Sequence, residues 1–184
     1  MKIIRWIFTL ATLAFLGAAW AGPIPDTQES RIGFLSFDLP SEQTGSFELS
    51  FDAAPLADKI DAFTGISAAA PSTANDVAAI VRFADTGVID VRNGGVFRAD
   101  QALKYAANQV YRIRMAIDVA SRTYSVSVTP PGQPEILLAR NYAFRSQQSG
   151  VKSLGKIVLA GFTGSSGSFA GSHRVTGVTL KAVP

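Results

Sequence analysis

The sequence predicts an all-β protein, built as a sandwich or barrel of antiparallel strands. Apolar and polar residues alternate with a period of two, as in residues 47–52 and 111–118, which is typical of strands with one buried face. Gly, Pro and Asn recur at short intervals between these runs and indicate turns. No long helical pattern appears, since "APLADKIDAF" (54–63) has only weak helical spacing and is short.

Residues 1–21 have the features of a secretory signal peptide. A basic start precedes an apolar run of about 15 residues, and Ala19-Trp20-Ala21 fits the small-x-small cleavage pattern. A membrane-spanning helix needs roughly 20 apolar residues, so cleavage after Ala21 is expected rather than anchoring. The sequence therefore predicts export to the periplasm or the extracellular space, with no integral membrane segment in the mature chain.

The mature chain is expected to form one domain. Residues 22–31 contain two prolines and predict an irregular lead-in, which leaves residues 32–184 as a single β-sandwich domain. Removing Lys2 and Arg5 lowers the 17 basic residues to 15 against 14 acidic ones. The near-neutral balance gives no support to a nucleic-acid partner. Because the chain has no cysteine, disulfides, thiol nucleophiles and zinc-thiolate sites are excluded.

Strands are predicted wherever one parity of the sequence is apolar. In chain order they cover residues 47–51, 80–83, 88–92, 111–117 and 123–128. A register slip of one residue would expose a whole apolar set, so each strand fixes its own buried face. The predicted core residues are Phe47, Phe51, Val81, Phe83, Ile89, Val91, Tyr111, Ile113, Met115, Ile117, Tyr124, Val126 and Val128.

Three turns and one loop connect these runs. Asn93-Gly94-Gly95 predicts a hairpin turn, because Asn-Gly favours positive φ. Residues 118–122 and the Pro-Pro-Gly at 130–132 each join two alternating runs, and both predict hairpins. The Gly/Ser-rich stretch "GFTGSSGSFAGS" (161–172) lies between apolar runs and predicts a loop.

The order of these stretches resembles the concanavalin A-like lectin/glucanase superfamily, including its laminin-G-like modules. The resemblance is carried by "GSFELSFDA", "AAIVRFADTGVIDVRNGG", "VYRIRMAIDVASRTYSVSV", "NYAFRSQQ" and "HRVTGVTLKAV", and covers most of residues 32–182. It implies a two-sheet antiparallel β-sandwich of the jelly-roll type. The superfamily hosts lectins, hydrolases, lyases and structural modules, so the fold alone does not assign a function.

Motifs for catalysis are weak. Laminarinase-like members of the superfamily carry Glu-x-Asp-x-x-Glu, which is absent here. Glu48 and Asp52 would share a face at roughly 13 Å, beyond the about 5–9.5 Å of glycosidase pairs, whereas Glu48 with Asp90 from another strand stays open. Alginate-lyase-like members use Gln-x-His; the chain has "YRIR" and "FRSQQ" but lacks that motif. His173 is predicted as a surface or edge residue.

Strand parity also places charged side chains outward, and we predict that they cluster on one face. The candidate ligand-binding residues are Arg82, Asp90, Arg92, Arg112, Arg114 and Glu48. One interpretation is a set of cross-strand ion pairs, each worth about 0.2–1 kcal/mol. The other is a glycan-binding face, because Arg and Asp offer bidentate donors and acceptors. Tyr105, Tyr142 and Phe97 are the candidate residues for stacking on sugar.

The leading functional hypothesis is an exported, non-catalytic carbohydrate-binding or adhesion module. Its partner would be a polysaccharide or cell-surface glycan, and the excess of arginine favours an acidic polysaccharide. The alternatives are a polysaccharide-active enzyme, a lyase sooner than a glycoside hydrolase, and a structural cell-surface or matrix module with no small ligand. Asp52 and Asp58–Asp61 could supply oxygen ligands to Ca²⁺, but no spacing is specific, so no cofactor is predicted.

Overall fold

Twelve strands make up two six-stranded sheets in the computed structural model, which describes residues 26–164, 167 and 170–183. Sheet I contains β1 (Thr27–Glu29), β3 (Ser46–Pro55), β8 (Tyr111–Asp118), β9 (Thr123–Thr129), β10 (Ile136–Ala143) and β12 (His173–Ala182). Sheet II contains β2 (Gly33–Gln43), β4 (Ala62–Ser67), β5 (Val77–Phe83), β6 (Ile89–Asn93), β7 (Val96–Arg98) and β11 (Leu154–Gly161). The predicted signal peptide, residues 1–21, lies outside the described residues.

The strand orders are β1-β12-β3-β8-β9-β10 in sheet I and β2-β11-β4-β5-β6-β7 in sheet II. Neighbouring strands pair antiparallel throughout. The predicted two-sheet antiparallel β-sandwich is therefore confirmed. Two short 3-10 helices, Ala74–Asp76 and Ser146–Gln148, interrupt the connections. No helix in the described ranges is both long and apolar enough to cross a membrane.

The main core fills the space between the two sheets. All thirteen predicted core residues are buried, with at most 4% of their surface exposed. They pack in one apolar cluster, to which both sheets contribute. Alternation identified these residues because every second side chain of a strand points toward the opposite sheet.

The predicted turns are also confirmed. Gly94 and Gly95 form the two-residue turn between β6 and β7, and Gly94 has a φ of +52°, which glycine adopts without strain. Hairpins join β8 to β9 and β9 to β10, as the sequence predicted. Four residues of the predicted loop between β11 and β12 (165, 166, 168 and 169) lie outside the described residues.

One feature of the fold differs from the sequence prediction. The lead-in predicted as irregular contains β1, which pairs with β12 through Thr27 and Thr176. Such a short segment takes strand structure from its neighbouring strand, which local sequence does not reveal. The stretch with weak helical spacing (54–63) forms no helix, as expected, and contains the end of β3, a connection, and the start of β4.

Sheet II is apolar on its outer face as well as on its inner one. Phe63, Val77, Ile80, Val158 and Ala160 form a second buried cluster there. Phe34, Phe97 and Phe162 pack against it while keeping part of their surface exposed. An apolar, partly exposed outer face sets sheet II apart from sheet I, whose outer face carries ion pairs.

Candidate functional site

The structure divides the six predicted site residues between opposite faces of the sandwich. On sheet I lie Glu48 in β3 and Arg112 and Arg114 in β8; on sheet II lie Arg82 in β5 and Asp90 and Arg92 in β6. The prediction of one shared face is therefore wrong. The alternation of positions along a strand shows on which side of its sheet a side chain points. It does not show which of the two sheets the strand joins. The division also rules out Glu48 and Asp90 as a catalytic pair.

On sheet I the two predicted arginines form ion pairs with acids of β3 and of the segment just before β10. Arg112 pairs with Asp52 at 3.2 Å. Arg114 donates to Glu48 at 3.2 Å and, through two nitrogens, to Glu135. The hydrogen bonds from Arg114 to Glu135 raise the pKa of the guanidinium. This face matches the interpretation as cross-strand ion pairs.

On sheet II, Arg82 and Asp90 also form a cross-strand pair. They lie directly opposite each other in β5 and β6, and the guanidinium donates two hydrogen bonds of 2.9 and 2.7 Å to the carboxylate. Asp61 approaches the other side of Arg82 at 3.5 Å. The Arg82 guanidinium also stacks over the ring of Phe97, 3.7 Å from its centroid. Arg82 is thereby held rigidly on the outer face.

A cleft of about 200 Å³ opens beside this pair on the outer face of sheet II, here termed the sheet II cleft. Its lining residues are Asp61, Phe63, Ala74, Arg82, Phe97, Arg145 and Phe162. Strands β4, β5 and β7 supply the floor, and the segments after β10 and β11 supply Arg145 and Phe162. The cleft thus combines an aromatic surface with fixed charges.

Phe63, Phe97 and Phe162 line the apolar side of the sheet II cleft, and Phe34 packs next to two of them. The ring centroids of Phe63 and Phe162 are 5.5 Å apart, and Phe34 meets Phe162 edge-on at 5.8 Å. Phe63 is buried, whereas Phe34 and Phe162 are half-buried and present ring surface to solvent. Such aromatic surface is available for packing against the apolar face of a ligand.

Of the three predicted stacking residues, only Phe97 lies in the cleft. Tyr105 is buried, and its hydroxyl donates to the carbonyl of Ala84 at 2.8 Å. Tyr142 is buried too; its hydroxyl donates to Asp100, and Arg98 covers its ring. The prediction that these two tyrosines stack on sugar is therefore wrong, because both rings are used inside the fold.

The charges in the cleft are unevenly distributed. Burial raises the pKa of Asp61, with Asp85 and Asp90 adding to the effect and Arg82 opposing it. Burial lowers the pKa of Arg145, and the positive charge of Arg92 lowers it further. Asp61 and Asp90 therefore both contact Arg82, whereas Arg145 has no acid partner among the described residues.

Sequence reasoning missed five of the seven residues that line the cleft, namely Asp61, Phe63, Ala74, Arg145 and Phe162. One signal was present: residues around Phe63 and residues 157–162 are apolar without alternation, which indicates a strand with apolar residues on both faces. Arg145 and Asp61 carry no such signal, since both come from connections whose position depends on the packed sheets.

The prediction that His173 is a surface or edge residue is wrong. It is fully buried between the sheets, not at the surface. Its Nε2 lies 2.8 Å from the Thr64 hydroxyl and its Nδ1 lies 2.8 Å from the Ser30 hydroxyl. Each hydroxyl can donate or accept, so a neutral imidazole satisfies both contacts. Burial lowers the pKa of His173 to about 3, so the ring is a neutral structural link between the sheets.

The three aspartates considered as calcium ligands each have another partner. Asp52 pairs with Arg112, Asp61 contacts Arg82, and Asp58 accepts a hydrogen bond from the backbone of Ala107. Across the part of the chain that the structure describes, no three His, Cys, Asp or Glu side chains are placed to hold a metal ion.

The fold is the jelly-roll β-sandwich of the concanavalin A-like lectins and glucanases, as the resemblance implied. Lectin I-B4 from Griffonia simplicifolia superposes with a TM-score of 0.55 at 9% identity, over 89% of this chain and 95% of the lectin. Lectin UEA-II, solved with galactose, gives a TM-score of 0.55 at 11% identity, over 85% of each chain. Identities this low establish the fold alone.

One curated protein is similar in sequence. A gellan lyase from Bacillus sp. is 34% identical over 113 residues, which are 59% of this chain. The match spans only 4% of the length of the lyase. No family model matches the chain. The chain is thus similar to one small section of a much larger polysaccharide-degrading protein.

Proposed function

We propose that this chain is a non-catalytic carbohydrate-binding module and that the sheet II cleft holds the sugar. One observation carries the proposal: the partly exposed Phe97 and Phe162 lie beside the fixed Arg82 and Asp61 in one open cleft. The lectins that share the fold and the gellan lyase that shares sequence support a carbohydrate ligand.

The cleft has the chemistry that a pyranose ring requires. Such a ring has an apolar face of C–H groups, which packs on aromatic side chains, and hydroxyls at its edge. Asp61 can accept from a hydroxyl and Arg82 can donate to one, and both are held by their mutual contact. At about 200 Å³ the cleft is smaller than the about 300–1,000 Å³ pockets that enclose whole ligands, which suits contact with part of a long chain.

The titratable side chains that line the cleft favour binding over cleavage. Polysaccharide elimination needs a base, and no His or Tyr stands among the residues that line the cleft. His173 is sealed in the core. Asp61 is the one carboxyl that lines the cleft, and Arg82 is its salt-bridge partner. The enzymatic alternative therefore rests on Asp61 and is tested by searching for products.

The proposal is tested by titrating the full chain with gellan, polygalacturonate, alginate, dextran and laminarin in calorimetry. We expect at least one to bind, and Phe162→Ala to weaken that binding about tenfold, because an aromatic contact of about 1.4 kcal/mol is lost. Phe37→Ala is the matched control: Phe37 is also half-buried but packs on the main core, so its Kd should not change.

Two results would overturn the proposal. If none of the five polysaccharides binds, or if Phe162→Ala and Phe37→Ala bind as tightly as the unmodified chain, the cleft is not the site. If binding is accompanied by unsaturated products or new reducing ends that Asp61→Asn abolishes, the chain is an enzyme. Arg114→Ala, on the opposite face, should leave the Kd unchanged in every case.

A further inference from the structure

Two arginines beside the sheet II cleft, Arg92 and Arg145, have a hydrogen-bonded Nε and, among the described residues, free Nη atoms. Arg92 donates from Nε to the carbonyl of Gly94 at 2.9 Å, and Arg145 donates from Nε to Oδ1 of Asn75 at 3.1 Å. The backbone N–H of Arg145 also donates to the carbonyl of Ala78 at 2.8 Å. In the described part of the chain the Nη atoms of both arginines make no hydrogen bond. Each guanidinium is therefore oriented by Nε and keeps its Nη donors unused.

The two arginines are also brought side by side by the backbone. The carbonyl of Gly94 accepts from Nε of Arg92 and from the backbone N–H of Ser146 at 3.4 Å, the residue after Arg145. Arg92 in addition stacks over Phe97, 5.0 Å from the ring centroid. The β6–β7 turn and the segment after β10 thus meet at Gly94, and Phe97, on which Arg92 stacks, lines the same cleft as Arg145.

Neither arginine has an acid partner among the described residues, in contrast to several outward arginines of the two sheets. Arg82, Arg112 and Arg114 each contact one or two carboxylates. Arg31, Arg122 and Arg140 also lack an ion pair within the described ranges, but none of them lines the cleft as Arg145 does, whereas Arg92 stacks on the cleft residue Phe97. Two adjacent arginines without an acid repel each other, and an anionic ligand would remove that repulsion.

We infer that Arg145 and Arg92 form a carboxylate subsite beside the sheet II cleft, which makes the cleft selective for polysaccharides that contain uronic acid. The inference rests on the proposed function and names its substrate class. The planar fork of a guanidinium matches a carboxylate with two parallel hydrogen bonds, and the orientation set by Nε removes part of the ordering cost. The sugar ring of the same residue then lies toward Phe162, and its hydroxyls toward Asp61 and Arg82.

The test compares each acidic polysaccharide of the first panel with its carboxyl-reduced form. Polygalacturonate and alginate should bind, and carboxyl reduction should weaken binding about 10- to 100-fold, the value of one or two charge-assisted hydrogen bonds. Arg145→Gln should cause the same loss for the acidic form and none for the reduced form. Arg140→Gln is the matched control, because it removes the same charge from an exposed arginine outside the cleft.

The outcomes separate this inference from the proposed function. If neutral dextran or laminarin binds through Phe162 but carboxyl reduction or Arg145→Gln leaves the Kd of acidic forms unchanged, the carboxylate subsite is refuted and the module stands. If Arg140→Gln weakens binding as much as Arg145→Gln, the effect is general electrostatics and the subsite is refuted. If dextran sulfate binds more tightly than every uronate polymer, the subsite takes sulfate and the assigned class is wrong.

Discussion

Replacing Phe51 by alanine is expected to lower the free energy of unfolding by about 3–5 kcal/mol. Phe51 is completely buried, lies in β3 near the centre of sheet I, and is directly opposite Ile113 of β8. Removing its ring leaves a cavity that the two packed sheets cannot close, so both the transfer energy and the contacts are lost. Urea unfolding followed by fluorescence or circular dichroism measures the loss.

The control for this prediction is Phe34→Ala, since Phe34 is half-buried on the outer face of sheet II. Its loss of stability should be clearly smaller, because solvent fills the space that the ring leaves. An unchanged midpoint for Phe51→Ala, or equal losses in the two variants, would contradict the observed burial.

The stability of the protein is expected to fall by about 3 kcal/mol between pH 7 and pH 4 through His173 alone. The pKa of His173 is lowered by burial to about 3 in the folded chain, whereas an unfolded histidine titrates near 6.5. Below about pH 6.5 the unfolded state therefore binds a proton that the folded state does not. The contribution of His173 to the free energy of unfolding is fully present above about pH 6.5, and it is lost progressively as the pH falls toward 3.

Two measurements check the His173 prediction. Urea unfolding at several pH values gives the slope for the unmodified chain, and the same series on His173→Gln removes the contribution of this ring while leaving the carboxylates in place. Independently, His173 is the one histidine in the sequence, so its ring signals in NMR are unambiguous and should not shift down to pH 4. A midpoint above pH 5 in that titration would show that the ring is accessible to protons.

The two outer faces of the sandwich differ in what they do with arginine. On sheet I, Arg112 pairs with Asp52 through one nitrogen, and Arg114 uses all three of its nitrogens on Glu48 and Glu135. At sheet II, Arg92 stacks over Phe97, and Arg145 lines the same cleft as Phe97 and Phe162. Paired arginines in exposed strands contribute about 0–1 kcal/mol to stability. Within the part of the chain that the structure describes, Arg92 and Arg145 keep both Nη atoms available to bind a ligand.

The candidate site could be predicted only in part. Arg82, Asp90 and Arg92 were identified from alternation in two strands, and Phe97 from the scarcity of other aromatic residues. Arg145 could not be identified, because its place beside the cleft depends on the segment after β10 crossing to sheet II, where its backbone bonds to Ala78. Residues brought together by long connections leave no periodic signal in the sequence.

The sequence by itself determined which residues of each strand are buried, where the hairpins turn, and that the sheets are antiparallel. These are local properties: a period of two fixes the buried face, and Asn-Gly-Gly or Pro-Pro-Gly fixes a turn within a few residues. The tertiary structure alone decided which sheet each strand joins. That choice separated Arg114 from Arg92, buried His173 between the sheets, and placed Arg145 beside Phe97. It depends on pairing between strands far apart in the chain, and strand pairing is set by packing of whole sheets rather than by the alternation of any one strand.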